Sequence, residues 1–331
     1  MHLITGSTGR LEIHSSSAPR RADSFADDVL AGLRATPKRL PSKYFYDEVG
    51  SALFDAITVL PEYYLTRTET EILREYGWEM VRAIGNPIAF LELGSGSAVK
   101  TRILIEETLR VQRTLHYSPI DISGDALRAS AQALVAAYPL LTVTGYVGDY
   151  FSMLQDTRLD RDGKVLAMFM GSNIGNYEPG VAIELLMAIA RRLKRGDGLL
   201  LGADLKKDER ELQLAYDDPT GVTAAFNKNL LARVNRELGG TFDLHDFAHV
   251  ARYDAARGCI DSFLQARRAH DVRIENIDAT IAFAQGERIH TESSYKYDLR
   301  DLDALGKAAG LRLSRTWTDA QERFSVNLYI P

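Results

Sequence analysis

The sequence predicts an α/β protein: a mostly parallel sheet flanked by helices, joined to a second unit of α+β character. Three observations predict it. The apolar run Ile88 to Leu93 ends in Gly94-Ser95-Gly96 and leads into a helix pattern from Lys100 to Arg110. That is the strand, turn and helix that open a nucleotide-binding sheet. Further apolar runs then alternate with helix patterns as far as Asp204, the rhythm of parallel βαβ units. The rhythm breaks near residue 207 and returns after Tyr297, so an insertion divides the sheet-forming sequence.

Taken in order, residues 1–22 mix Ser, Thr, Gly, Arg and Pro without a period and are expected to form a flexible arm. They lack an apolar core and a cleavage pattern, so no signal peptide is expected. Ser24 to Leu33 is a short helix signal, with Ser24 as its cap and Phe25, Val29, Leu30 and Leu33 on one face. Thr36 to Asp47 carries two prolines and three aromatic residues and predicts an ordered loop leading into a short helix, Ser51 to Ile57. Leu60 to Glu69 is again aromatic and proline-bearing. Tyrosine hydroxyls supply donors on rigid stems, so these two loops could wall a pocket for a small polar ligand. Tyr46 and Tyr63 are its candidates, with core packing the competing role. Thr68 to Gly85 is amphipathic and leads into the sheet.

The strand ends carry the chemistry. Leu115 to Ser123 contains Asp121 at its close, where an acid can accept hydrogen bonds from a ribose diol. Leu141 to Tyr150 ends in Asp149, an acceptor for an adenine amino group, with Tyr150 beside the ring. Val165 to Asn176 closes in a polar Gly/Asn-rich loop, and Leu199 to Asp204 is a further strand. Gly124 to Tyr138 and Gly180 to Leu193 are the intervening helices. Open α/β sheets bind ligands at these carboxyl ends. Glu92, Gly94, Gly96, Asp121 and Asp149 together fit a site for S-adenosylmethionine. The spacing Glu-x-Gly-x-Gly lacks the third glycine of dinucleotide folds, and no Gly-Lys-Ser/Thr follows, which excludes a P-loop.

Beyond residue 207 the pattern becomes α+β. Glu209 to Tyr216 and Val222 to Leu238 read as helices around the break Asp217 to Gly221. The second helix carries Asn227, Asn229 and Asn235, amides that need partners if buried. Phe242 to Val250 reads as loop, and Cys259 to Ala266 with Ala269 to Ile274 as paired strands, to which Thr280 to Ala284 and Glu287 to Lys296 add. Leu299 to Ala309 is a helix ended by Gly310. Leu311 to Trp317 and Phe324 to Ile330 form a closing antiparallel pair. The expected domains are therefore 68–206 with 297–331, Rossmann-like and cofactor-binding, and 23–67 with 207–296, substrate-binding.

Composition narrows the partners. A net charge of -5 and a pI near 5.9 argue against nucleic acid. The single cysteine, Cys259, cannot form an internal disulfide, which fits a cytoplasmic protein and a packing role. No apolar run of about 18 residues exists to span a membrane. The seven histidines lack metal-ligand spacings, so no metal is expected. The absence of a heptad pattern argues only against a coiled-coil oligomer; a monomer is expected.

Six stretches carry a resemblance over nearly the whole chain, from about Phe25 onward. They are Lys43-Tyr44-Phe45-Tyr46-Asp47, Leu60-Pro61-Glu62-Tyr63-Tyr64, Glu92 to Gly96, Gly171-Ser172-Asn173-Ile174-Gly175-Asn176, Ala215 to Asp218, and Thr291-Glu292-Ser293-Ser294. The chain resembles the bacterial L-histidine N-alpha-methyltransferases of ergothioneine biosynthesis. The resemblance implies a class I S-adenosylmethionine-dependent methyltransferase domain with a separate substrate domain. It implies transfer of three methyl groups to the alpha-amine of L-histidine, with S-adenosylhomocysteine as coproduct. By the same resemblance Gly94, Lys100, Asp121, Asp149 and Tyr150 hold the cofactor, beside Gly96 of the turn. Tyr46, Tyr63, Asn176 and Tyr216 surround the substrate amine and carboxylate, and Glu292 and Ser294 hold the imidazole.

Asn176 and Tyr46 are the catalytic candidates. The Asn176 carbonyl can accept from the amine but cannot act as a base, so the proton leaves to water or through a nearby tyrosine. Two positions depart from the relatives most resembled: Tyr150 stands where they have phenylalanine, and Ser262 where they have methionine beside the imidazole. A neighbouring aromatic amino acid is therefore an alternative substrate. A non-catalytic S-adenosylmethionine-binding regulator and an oxidoreductase are the alternatives of other classes. Glu-x-Gly-x-Gly argues against the last.

Overall fold

The computed structural model describes residues 2–5, 9–15, 25–157, 159 and 163–331. The chain divides into two compact units. One holds Met1–Ala18, Leu65–Lys206 and Lys296–Pro331; the other holds Pro19–Tyr64 and Lys207–Tyr295. In chain order the strands begin with β1 (His2–Thr5), β2 (Leu11–Ser15), β3 (Lys38–Arg39), β4 (Ile88–Leu93) and β5 (Leu115–Asp121). They continue with β6 (Leu141–Val147), β7 (Lys164–Phe169), β8 (Gly198–Asp204), β9 (Phe247–Asp254) and β10 (Cys259–Ala266). The last are β11 (His270–Ile274), β12 (Ala279–Phe283), β13 (Arg288–Tyr295), β14 (Arg312–Thr318) and β15 (Phe324–Ile330). The helices begin with α1 (Phe25–Arg34), α2 (Glu48–Thr58), α3 (Tyr64–Ile84), α4 (Val99–Leu109) and α5 (Gly124–Ala137). They end with α6 (Tyr150–Asp156), α7 (Pro179–Ala190), α8 (Glu209–Tyr216), α9 (Val222–Leu238) and α10 (Leu299–Ala308).

In the first unit one sheet has the order β1-β2-β6-β5-β4-β7-β8-β15-β14. Strands β2 through β8 pair in parallel, and β15 and β14 close the sheet antiparallel. Every residue of β4 and of β8 is buried, as expected where helices cover both faces of a parallel sheet. This bears out the predicted α/β class. The chain runs outward from β4 through β5 to β6, then returns to the other side at β7. Ligands bind in such sheets at the carboxyl ends beside that reversal. Leu91, Phe169, Leu199, Leu302 and Tyr329 belong to one buried cluster against the sheet.

The expected flexible arm is corrected by β1 and β2. Leu11 and Ile13 are buried while Glu12 is exposed, an alternation of two residues too short to stand out in a polar segment. β2 pairs in parallel with β6. The Arg10 guanidinium donates to the carbonyls of Val135, Tyr138 and Leu141 at 2.9–3.1 Å, satisfying the end of α5. Residues 1, 6–8 and 16–22 of that arm, and the expected cap Ser24, lie outside the described residues.

At the end of β8, Asp204 pairs with Lys296 at 2.9 Å, both side chains fully buried. Tyr297 N donates to Asp204 O and Lys206 N to Tyr297 O.

The second unit has a sheet of order β3-β13-β10-β9 and a separate β11-β12 ribbon. Two expectations are corrected here. β10 does not pair with β11, because both its edges are taken, by β13 and β9; β11 pairs with β12 across a short turn. Phe247–Asp254 is a strand, not a loop, but its burial does not alternate cleanly, so its period was hidden. The three asparagines of α9 find partners. Asn227 Nδ2 donates to Phe263 O at 3.1 Å, Asn229 Nδ2 to Asp47 Oδ1 at 2.8 Å, and Asn235 exchanges two bonds with the Phe242 backbone. Cys259 is buried. Among the described residues no helix is long and apolar enough to cross a membrane, and no group of three His, Cys, Asp or Glu is placed to hold a metal.

Candidate functional site

In the first unit the carboxyl ends of β4, β5, β6 and β7 gather the polar residues. Gly94 follows β4 with φ +72°, and a Cβ there would lie 2.5 Å from Tyr150 Oη and 2.9 Å from Asn173 Nδ2. Only glycine serves both the turn and this close approach. Nothing lies within 4 Å of the corresponding position on Gly96, so the turn opens onto space there. Asp121 ends β5 and orders the turn: Gly96 N donates to Oδ2 at 2.8 Å and Ser123 N to Oδ1 at 2.9 Å. Burial pushes its pKa up, while the amide donors pull it down. Each carboxylate oxygen has two acceptor directions, so Asp121 can bind these amides and ribose hydroxyls together. Asp149 caps α6 by accepting from Ser152 N at 3.0 Å. Tyr150 opens that helix, which the sequence pattern had run into the preceding strand. Its ring meets Phe169 edge-on at 5.6 Å. Acids at two adjacent strand ends, a glycine turn open above, and an aromatic ring beside the second acid fit an adenosine-bearing cofactor.

Glu92 serves the turn from beneath. It is 3% exposed, accepts from Thr101 Oγ1 at 2.8 Å and binds the Tyr117 hydroxyl. It thereby ties β4 to α4 and β5. Burial pushes its pKa up to about 7 against the pull of Tyr117 and Thr101. Lys100 lies in the first turn of α4, and its ammonium pairs with Glu69 of α3. Asn176 ends the short 3₁₀ turn Asn173–Asn176 after β7 and is half-buried. Ser172, at φ +57°, starts that turn, and its Oγ accepts from Asp204 N at 2.9 Å.

In the second unit Tyr46, Tyr63, Tyr216 and Ser294 form a connected set, and Glu292 lies two residues before Ser294 on β13. Tyr46 sets its edge against Phe54 at 5.7 Å, Phe54 against Tyr63 at 6.2 Å, and Tyr63 against Tyr216 at 6.5 Å. Tyr216 Oη and Ser294 Oγ share a hydrogen bond of 2.7 Å. Ser262 pairs directly with Glu292 and Ile260 with Ser294 across β10 and β13, so Ser262, Glu292 and Ser294 lie on one face. The opposite face holds Asp261 and Ser293, bonded at 2.6 Å. Asp47 explains the Tyr-Phe-Tyr-Asp stretch: it caps α2 through Gly50 N at 2.7 Å and binds Asn229 and Arg236 of α9.

Two supporting residues were missed by sequence reasoning. His249, its side chain 2% exposed, bonds Asn227 Nδ2 through Nδ1 and the Tyr216 carbonyl through Nε2, each at 2.8 Å. That assigns the proton to Nε2 and fixes the backbone at Tyr216. No spacing signals such a histidine. Glu69 is fully buried, and it did leave a signal: a carboxylate on the apolar stripe of Leu65, Ile72 and Leu73.

Comparison with known proteins gives one family match and three similar relatives. A model of the histidine-specific, S-adenosylmethionine-dependent methyltransferases matches residues 25–330. A histidine N-alpha-methyltransferase of Mycolicibacterium smegmatis is 43% identical over 314 residues, covering 95% of this chain and 97% of that protein. One from Mycobacterium tuberculosis is 44% identical over 301 residues, covering 91% and 93%. Ergothioneine biosynthesis protein 1 of Schizosaccharomyces pombe is 32% identical over 267 residues, covering 78% of this chain and 34% of that protein.

Proposed function

The chain belongs to the histidine-specific, S-adenosylmethionine-dependent methyltransferases, and from that premise we propose the reaction in detail. The enzyme methylates the alpha-amino group of L-histidine, three times in succession, giving trimethylhistidine (hercynine) as the first step of ergothioneine biosynthesis. The observation that carries this is the extent of the match. Residues 25–330 include the imidazole and carboxylate candidates of the second unit as well as the cofactor candidates of the first.

S-Adenosylmethionine supplies a methyl group on a sulfonium centre that leaves as a neutral thioether. The protein's part is binding and orientation. Asp121 takes the ribose hydroxyls, Asp149 the adenine amino group, and Tyr150 lies along the ring. Asn176 accepts from the substrate amine through its side-chain carbonyl and turns the nitrogen lone pair toward the methyl group. Orientation of this kind contributes several orders of magnitude in rate. Asn176 cannot take the proton; it leaves to water, directly or through the Tyr46 hydroxyl, which passes its own proton on as it accepts the amine's.

The imidazole is read by Glu292, which accepts from the ring N–H as a charge-assisted bond, and by Ser294, which donates to the other nitrogen. Tyr63 and Tyr216 take the substrate carboxylate, and the hydrogen bond of 2.7 Å between Tyr216 Oη and Ser294 Oγ links that contact to the imidazole contact. Ser262, across from Glu292, is small, so N-methylation of a larger aromatic amino acid is the second reading. A cytoplasmic, monomeric enzyme belongs to the same proposal.

Mass spectrometry of histidine incubated with enzyme and S-adenosylmethionine tests it. A gain of three methyl groups is expected; no gain overturns the reading. Asn176→Ala should lose turnover while still binding S-adenosylhomocysteine. Wild-type turnover in that variant rejects the role given to Asn176.

A further inference from the structure

Glu69 is a carboxylate with no exposed surface on the apolar face of α3, among Leu65, Thr68, Ile72 and Leu73. Burying such a charge is costly unless it is paired and hydrogen-bonded. Here it is both. Gly171 N lies 2.9 Å from Oε1 and 3.0 Å from Oε2, and the Lys100 ammonium pairs with Oε2. The neighbouring strand makes room for it: a Cβ on Gly202 would stand 2.1 Å from Glu69 Oε1. A Cβ on Gly171 would stand 3.3 Å from Lys100 Nζ. One buried carboxylate thus joins the start of α4 to the loop that leaves β7.

We propose that Glu69 is a positioning residue for methyl transfer, holding the Lys100 ammonium and the Gly171–Asn176 loop in one register. The proposal rests on the assignment of Lys100 to the cofactor and Asn176 to the amine. The Lys100 side chain is 24% exposed, so it is tied at one side and reachable at another. An ammonium has three donors. One goes to Glu69, and the remainder can bind the anionic end of the cofactor, its amino-acid carboxylate. The same Glu69 oxygens fix Gly171 N, five residues ahead of Asn176 in the chain. Cofactor affinity and amine orientation therefore share one anchor. Glu69 does this without touching either ligand.

The test is calorimetric titration of S-adenosylhomocysteine into wild type, Glu69→Gln, Lys100→Met and the double variant, with steady-state kinetics on histidine. Glutamine keeps the shape and an acceptor for Gly171 N but loses the charge that holds Lys100. Each single change should weaken binding about tenfold, and the double variant should be no weaker than the worse single. A residue that merely stabilises the fold would not show that coupling. In Glu69→Gln, kcat should fall while KM for histidine stays within about twofold. Wild-type affinity in Glu69→Gln, or losses that multiply in the double variant, would overturn the proposal and leave the cofactor reading intact. Wild type that fails to bind S-adenosylhomocysteine overturns both. If Glu69→Gln does not fold, Gly202→Ala presses on the same carboxylate without removing its charge. It too should weaken binding, and unchanged affinity there counts against Glu69.

Discussion

Glu92 and Asp121 end adjacent strands, yet their carboxylates do different work. Asp121 accepts from backbone amides of the turn and remains at the site. Glu92 is held beneath it by Thr101 and Tyr117. Burial raises the Glu92 pKa from 4.5 to about 7, which has a consequence for stability. Between those values the folded protein keeps a proton that the unfolded chain has released. Stability from this group is thus full below about pH 4.5 and is lost as pH rises toward 7. The loss amounts to roughly 3 kcal/mol across that window. Glu92→Gln should remove it, so urea midpoints of wild type should fall relative to the variant between about pH 5 and about pH 8. Parallel pH profiles for the two proteins would contradict this. At this scale the strand-end acids were legible because apolar runs point to them. His249 and Glu69 act through other residues, and the contacts that define them join segments far apart in sequence.

Among the elements, those fixed by strong local periods matched their expected limits best. α8 and α9 occupy Glu209–Tyr216 and Val222–Leu238, the limits read from pattern. α3 begins four residues before its expected start, at Tyr64 rather than Thr68, because the aromatic loop residues already bury their side chains there. Of the strand partners, the closing antiparallel pair of β14 and β15 was legible, but those of β10 and β2 were not. Pairing of β10 with β13 joins segments separated by the β11-β12 ribbon, and no local pattern encodes that choice. β2 escaped for a related reason: its partner is β6. The Asp204–Lys296 pair belongs to this scale, since it binds the end of β8 to the segment after β13 with both charges buried. Lys296→Met should destabilise the protein by roughly 3–5 kcal/mol, because the buried Asp204 carboxylate loses its countercharge. Asp204→Leu with Lys296→Met should regain most of that loss. Urea denaturation checks both. An unchanged midpoint for Lys296→Met alone would show that the pair contributes nothing.

Across the whole molecule the proposed cofactor contacts fall in one unit and, Asn176 apart, the proposed substrate contacts in the other. Gly94, Gly96, Lys100, Asp121, Asp149, Tyr150 and Asn176 lie in the first; Tyr46, Tyr63, Tyr216, Glu292 and Ser294 lie in the second. The α/β class was legible from the alternation of strands and helices, and the interruption of the sheet from the loss of that alternation. The substrate was not legible from those patterns. It came from motifs, because a Glu and a Ser two residues apart on a strand are commonplace until the tyrosines beside them are known. This division predicts that substrate choice can be altered without changing cofactor affinity. It makes Glu292 the residue on which histidine preference turns. A site built around polar pairing rejects analogues that lack the pairing far more strongly than an apolar slot rejects an added methylene. The most direct measurement is kcat/KM for histidine, tryptophan, phenylalanine and tyrosine on wild type and Glu292→Ala. Wild type should prefer histidine by at least about a hundredfold, and the substitution should collapse that preference by losing histidine, with S-adenosylhomocysteine affinity unchanged. A wild type that favours tryptophan, or a Glu292→Ala enzyme that turns over histidine as before, would contradict the account.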